Sequence, residues 1–145
     1  MVRSLPFLIL LLLGTFLMTA CSRESDEKSS AIKMFAKQDM PAEVQKAPLT
    51  VLQAYQFAAA NPEVTQHIPC YCGCGAMGHT SNYSCYVSGE NQDGSLNFDE
   101  HALGCSICVD ITQDAMRLQK EGKAVPEIKK YIDATYAQYG PSNMP

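Results

Sequence analysis

From Thr50 the chain places apolar residues at helical spacing: Val51, Leu52, Tyr55, Ala58 and Ala59 share one face, and Asn61-Pro62 ends the run. Asn61 is placed to cap a second short turn, because Pro62 suits a first helical position and Pro69 limits continuation. Near the C-terminus, Ile107, Cys108, Ile111, Ala115 and Leu118 share another helical face, which Gly122 stops. Pro126 then restarts a helix carrying Ile128, Tyr131, Ile132, Thr135 and Tyr139, with Gly140-Pro141 at its end. Between these regions YSCYV and SLNF flank GENQDG, whose Asp93-Gly94 is a turn signal, so a short β-hairpin is expected there. The pattern predicts a mainly α fold. It is a small domain of three or more helices with a C-terminal helical hairpin, built around an irregular glycine-rich loop at residues 69–79.

The ends change the picture. Arg3 precedes the apolar run PFLILLLLGTFLM, which is shorter than the roughly 20 residues of a transmembrane helix and reads as a secretory signal. Thr19 and Ala20 before Cys21 resemble a bacterial lipobox, with Met18 where leucine is commoner; on this reading residues 1–20 are removed and Cys21 is lipidated. Residues 22–48 mix charge, Ser and Pro with scattered apolar positions and are expected to be a flexible tether from a membrane to the domain at 49–140, with 141–145 as a tail. The net charge is −4, and loss of Arg3 with the leader makes it more negative. Nucleic acid and anionic headgroups are therefore excluded as main partners, since both are held by clustered Lys and Arg.

The chemistry lies in cysteine and histidine. The chain has 7 Cys and 3 His. If Cys21 carries lipid, Cys70, Cys72, Cys74, Cys85, Cys105 and Cys108 remain, and His67, His79 and His101 all fall among or just before them. Alternate thiols in CxCxC can converge on soft metals, whereas a disulfide within CxC closes a small strained ring. Cys105-Ser-Ile-Cys108 at a helix start suits either one metal or a redox dithiol. Thiolates and imidazoles favour Cu(I) or Zn(II) and disfavour Ca and Mg. Six thiols and up to three imidazoles exceed the needs of one tetrahedral zinc, which requires two sites or a multinuclear Cu(I) cluster. Met77 offers a thioether beside the loop, although a partly buried apolar role is the plainer expectation. Disulfide stapling of the even set is the structural competitor, with Cys85 as its best candidate. Asp99 and Glu100 are expected to cap a turn or orient His101. The chain has no HExxH, no phosphate-binding glycine loop followed by Lys-Ser/Thr and no persuasive Ser/His/acid arrangement.

The stretch PCYCGCGAMGH, with SCYV at 84–87, FDEHALGCSICVD at 98–110 and EGKAVPEIKKYID at 121–133, resembles the bacterial PCYCGC-motif lipoproteins from about Leu49 to Gly140. The resemblance implies a Gram-positive-type surface lipoprotein and one constellation of Cys70, Cys72, Cys74, His79, Cys85, His101, Cys105 and Cys108, without naming a reaction. Residues 105–140 are also similar to the thiol-reductase subunit of cytochrome c maturation, where a CxxC sits beside a helical hairpin. This chain departs from that subunit in its upstream CxCxC loop and in lacking an obvious transmembrane helix after the hairpin.

These readings give an extracytoplasmic protein on the outer face of the cell membrane, anchored by lipid. It binds copper or zinc, with Cu(I) ahead of Zn(II), through those eight residues and His67 as a further candidate. Metal storage, buffering or delivery to a metal-receiving or thiol-containing partner follows from this reading. The alternatives are a thiol-disulfide oxidoreductase using Cys105 and Cys108, and a disulfide-stapled interaction protein.

Overall fold

The computed structural model describes residues 32–145; the expected leader, Cys21 and residues 22–31 lie outside this range. The described chain is mainly α. Five helices run in the order α1 (Ala42–Lys46), α2 (Leu49–Ala60), α3 (Pro62–Thr65), α4 (Ser106–Lys120) and α5 (Val125–Tyr136), with strands β1 (Val87–Glu90) and β2 (Leu96–Phe98) between α3 and α4. None of the helices among the described residues is long and apolar enough to cross a membrane.

Helix α4 is the hub, packed on α2 at one side and α5 at the other. Ile111, Ala115 and Leu118 of its expected face are buried, as are Ile128 and Ile132 of α5. Gly122 breaks the chain between the two helices, and the Glu127 carboxylate accepts the Ala124 N–H at 3.0 Å to fix the start of α5. Tyr131 and Tyr139, expected on the apolar face, are exposed. The hairpin is antiparallel, pairing Val87 with Phe98 and Glu90 with Leu96 across a bulge at Ser88. Asp93 accepts the Ser95 N–H in its turn. Strand structure begins later than YSCYV suggests, because Tyr83–Cys85 forms a 3-10 turn.

Two expectations need correction. Residues 32–48, expected within the tether, are packed on the domain. Met40 and Val44 are buried, and the Phe35 N–H donates to the Gln56 carbonyl at 2.9 Å while the Gln56 amide returns a bond to the Phe35 carbonyl at 2.8 Å. This segment covers a second side of α2, which is why Ala54 and Phe57 are buried beyond the single face its periodicity predicts. Asn61 does not cap α3 with its side chain; its amide instead donates to the Phe57 and Lys33 carbonyls, tying the end of α2 to the same segment.

The loop before the hairpin is bound to α4 by a buried polar network. The Tyr86 hydroxyl donates to the Cys108 carbonyl at 2.8 Å, and the Asn82 amide donates to the same oxygen at 3.3 Å. Thr112 Oγ1 donates to Asn82 Oδ1 at 2.8 Å. Thr112→Val keeps the shape and leaves that Asn82 oxygen without a partner, so it should destabilise the metal-free fold by about 1–3 kcal/mol. Urea unfolding measures this; an unchanged midpoint would remove the network from the account of how Cys85 and Cys108 are positioned.

Candidate metal centre

Four chain segments meet at one end of α4. The first is the CxCxC loop, which must reverse direction within a few residues. Gly73, at φ 83°, supplies the left-handed turn that starts the 3-10 segment Cys74–Met77. The second is the 3-10 turn Tyr83–Cys85, which places Cys85 against Cys74. The third is the 3-10 turn His101–Leu103, and the fourth is the start of α4, with Cys105 at the N-cap and Cys108 one turn inside.

The sulfurs converge. Cys70 Sγ lies 3.2 Å from Cys108 Sγ and 3.3 Å from Cys72 Sγ, Cys72 and Cys108 are 3.5 Å apart, Cys108 and Cys105 3.3 Å, and Cys74 and Cys85 3.6 Å. A disulfide needs about 2.05 Å, and all six cysteines are free thiols here. A tetrahedral site with metal–sulfur bonds of about 2.3 Å has edges of about 3.8 Å, close to these spacings. His101 Nε2 stands 3.5 Å from Cys72 Sγ. Donor atoms lie within 4.8 Å of one another in four overlapping groups: Cys72, His101, Cys105 and Cys108; Cys74, His79, Cys85 and His101; Cys70, Cys72 and Cys74; and Cys70, Cys85 and Cys108.

All eight residues of the expected constellation are thus brought together. His67 is not: it is exposed in the turn after α3 and joins none of these donor groups. Met77 is 65% exposed, so it is not the partly buried apolar residue expected.

Cys70 and Cys85 are 0% exposed and belong to the wall of the hydrophobic core. Hydrogen bonding from the Cys108 thiol, and then from Cys85, draws the Cys70 thiol well below the ordinary thiol range. Burial pushes the Cys72 and Cys74 thiols up, and Cys108 is pushed up chiefly by its bond to Cys70. Cys70 is thereby favoured to ionise over the buried thiols that surround it, and a cation beside it would offset the cost of that charge.

His79 gives an independent indication. It is 8% exposed, its Nε2 faces Asp99 Oδ2 at 3.5 Å, and its Nδ1 is buried without a hydrogen-bond partner. The ring thus has a carboxylate on its Nε2 side and an unpartnered nitrogen on the other, and it belongs to the donor group of Cys74, Cys85 and His101. A carboxylate behind a histidine is the usual support of a metal-binding imidazole. Asp99 makes the expected turn-capping bond, but the imidazole its carboxylate faces is that of His79 and not the expected His101. The capping bond runs from the His101 N–H to Asp99 Oδ1 at 2.8 Å. Glu100 is exposed and makes no capping bond.

Asn143 was not singled out by the sequence. Its side-chain oxygen accepts the Cys70 N–H at 2.7 Å, its backbone N–H donates to the Cys70 carbonyl at 3.0 Å, and its amide nitrogen donates to the Ser81 carbonyl at 3.0 Å and reaches Cys74 Sγ at 3.5 Å. Residues 141–145 are therefore a strap across the CxCxC loop. Gly140 makes the approach possible, since a Cβ there would meet the Tyr71 carbonyl oxygen at 2.9 Å. No short-range sequence signal marks Asn143, because its partners lie about 70 positions away.

A sequence-family profile described as a protein of unknown function with PCYCGC motif matches residues 9–145, extending on both sides of the stretch that carried the resemblance. No curated protein and no solved structure matches the chain.

Proposed function

The chain belongs to the PCYCGC-motif family, which carries no assigned activity, and from the site itself we propose that it is a soft-metal-binding protein that stores, buffers or delivers copper or zinc. The buried, unpartnered Nδ1 of His79, backed by Asp99 and set among thiols, is the observation that carries this reading. A buried ring nitrogen without a partner costs free energy, and a bound cation would remove that cost. The donor set supports the choice of ion, since thiolate and imidazole select Cu(I) or Zn(II) over oxygen-seeking cations. Cys70, Cys72, Cys74, Cys85, Cys105, Cys108, His79 and His101 would hold the metal. The ion would supply charge neutralisation and a cross-link between the loop and α4.

The placement we propose is the outer face of the membrane, through lipid on Cys21, with a metal-receiving or thiol-bearing protein as partner. The apolar leader ending in Thr19-Ala20-Cys21 supports the anchor.

The test is native mass spectrometry with elemental analysis and thiol counting on the full-length chain in detergent. Stoichiometric copper or zinc is expected, and Cys72→Ser with Cys74→Ser should abolish it while the far-ultraviolet helical signal persists. Unchanged metal content in that double variant would end the proposal.

One observation favours a second reading. Cys105 is half-buried at the helix N-cap and Cys108 is buried one turn behind it, as attacking and resolving thiols of an oxidoreductase would be. Cys108→Ser should then trap a mixed disulfide through Cys105, and repeated failure to trap one counts against that activity.

A further inference from the structure

The overlapping donor groups can be resolved into two sets of four, with His101 and Cys70 at the border between them. Cys72, His101, Cys105 and Cys108 form one mutually close group, with His101 Nε2 assigned to it by the 3.5 Å approach to Cys72 Sγ. The remainder are Cys74, His79 and Cys85, together with Cys70, whose sulfur is within 4.8 Å of those of both Cys74 and Cys85. Each set offers three sulfurs and one imidazole, the donor number and type a tetrahedral soft divalent ion takes, with Cys74 and Cys85 linking Cys70 to His79 in the second.

The two groups are not equivalent. In the second, all four residues are buried. They are also individually fastened: Asn143 holds the Cys70 backbone at both its N–H and its carbonyl and reaches Cys74 Sγ, Asp99 backs His79, and Cys85 sits in a turn tied to α4 through Asn82 and Tyr86. In the first, Cys72, His101 and Cys105 are half-buried and only Cys108 is fully covered. Cys105 has no capping hydrogen bond at the start of α4, and exposed residues Gly104 and Ser106 flank it. An incoming ligand can reach the first group without unfolding anything, whereas the second is accessible only if the strap or the loop opens.

We propose, resting on the metal-binding reading above, that the protein holds two ions in inequivalent positions: an inner ion retained by Cys70, Cys74, His79 and Cys85, and an outer ion exchanged with a thiol-bearing partner through Cys72, His101, Cys105 and Cys108. Exchange is associative and involves no electron transfer. The incoming thiol forms a metal–sulfur bond as the bond to Cys105 breaks, and the proton it gives up is taken by the vacated Cys105 thiolate. Cys108, buried and bonded to the inner cluster through Cys70, stays as the hinge of the transfer.

Zinc is the probe, and release to an excess of a chromogenic chelator is followed in a stopped-flow instrument on the full-length chain in detergent. Two ions per chain are expected, one leaving at least about 100-fold faster than the other. Cys105→Ser should carry one ion and show only the slow phase. Because Cys85→Ser alters a fully buried position and can fail to fold, the wild-type measurement is repeated by native mass spectrometry after brief chelation, where a one-ion species should accumulate. Both ions leaving in one phase, a single ion in the wild type, or loss of the slow phase in Cys105→Ser would each overturn the division while leaving metal binding standing. A wild-type chain that takes up no zinc, and no copper in a parallel loading, overturns both.

Discussion

Removing the metal should lower the melting temperature of the protein by roughly 10–20 °C. The candidate ligands line one end of the core, and Cys70, Cys85 and Cys108 are packed among its apolar side chains. A ligand that binds only the folded state stabilises it by about 4 kcal/mol when present at about 1,000 times its dissociation constant. For a domain of this size, 1 kcal/mol corresponds to roughly 3–6 °C. Two ions in a preformed site would give at least one such increment, reduced by any affinity of the unfolded cysteines for the same ion. Melting curves of metal-loaded and chelator-stripped samples, followed by circular dichroism, measure the difference. The gap should narrow as pH falls, because thiols and imidazoles must lose protons to bind and protons then compete with the ion. Identical melting temperatures with metal demonstrably bound would mean that the ion sits on the surface of the fold and not within its support.

The single substitution with the largest expected effect on metal retention is Cys70→Ser. Its sulfur touches those of Cys72 and Cys108, and stands within ligand range of Cys74 and Cys85, so it borders both donor groups. Serine preserves the size and the backbone bonds to Asn143 but replaces a soft sulfur with a hard oxygen of low affinity for these ions. We expect the inner ion to be lost and the remaining ion to leave at least about 100-fold faster than the slow phase of the wild type. Cys105→Ser, at the rim, should remove one ion without that acceleration. Native mass spectrometry gives the count and chelator competition the rate. Wild-type stoichiometry and rates in Cys70→Ser would exclude Cys70 as a ligand and would leave its position among four other sulfurs to be explained by packing alone.

The parts of this fold that were legible in the sequence are those written in local spacing. The faces of α4 and α5 follow from residues three and four apart, the hairpin turn follows from Asp93-Gly94, and the start of α4 at the CxxC follows from its apolar periodicity. The convergence of CxCxC with CxxC was also expected, because thiols alternating along a loop have few other uses. What was missed depends on contacts between distant segments. Residues 32–48 scatter Phe35, Met40 and Val44 at no sustained helical or strand spacing, so no periodicity revealed that they cover α2. The family resemblance already set His79 in the constellation and left His67 as a further candidate, but spacing alone treats the two alike. The fold gives the physical reason, exposing His67 and burying His79 beside Asp99. Thr112 reads as an ordinary helix residue until Asn82 and Tyr86 are seen against it.

The strap at Asn143 has a consequence for the order of assembly. Its bond to the Cys70 N–H joins residues 73 positions apart, and a contact of that separation cannot form until the intervening chain has been made and α5 has turned back toward the loop. During synthesis and early folding the CxCxC thiols therefore exist without the partners that later hold them. Mispairing with an oxidant, or capture of an unsuitable ion, belongs to this interval more than to the finished molecule. How quickly the last few residues close is then what decides whether a newly made chain reaches its reduced, ligand-ready form.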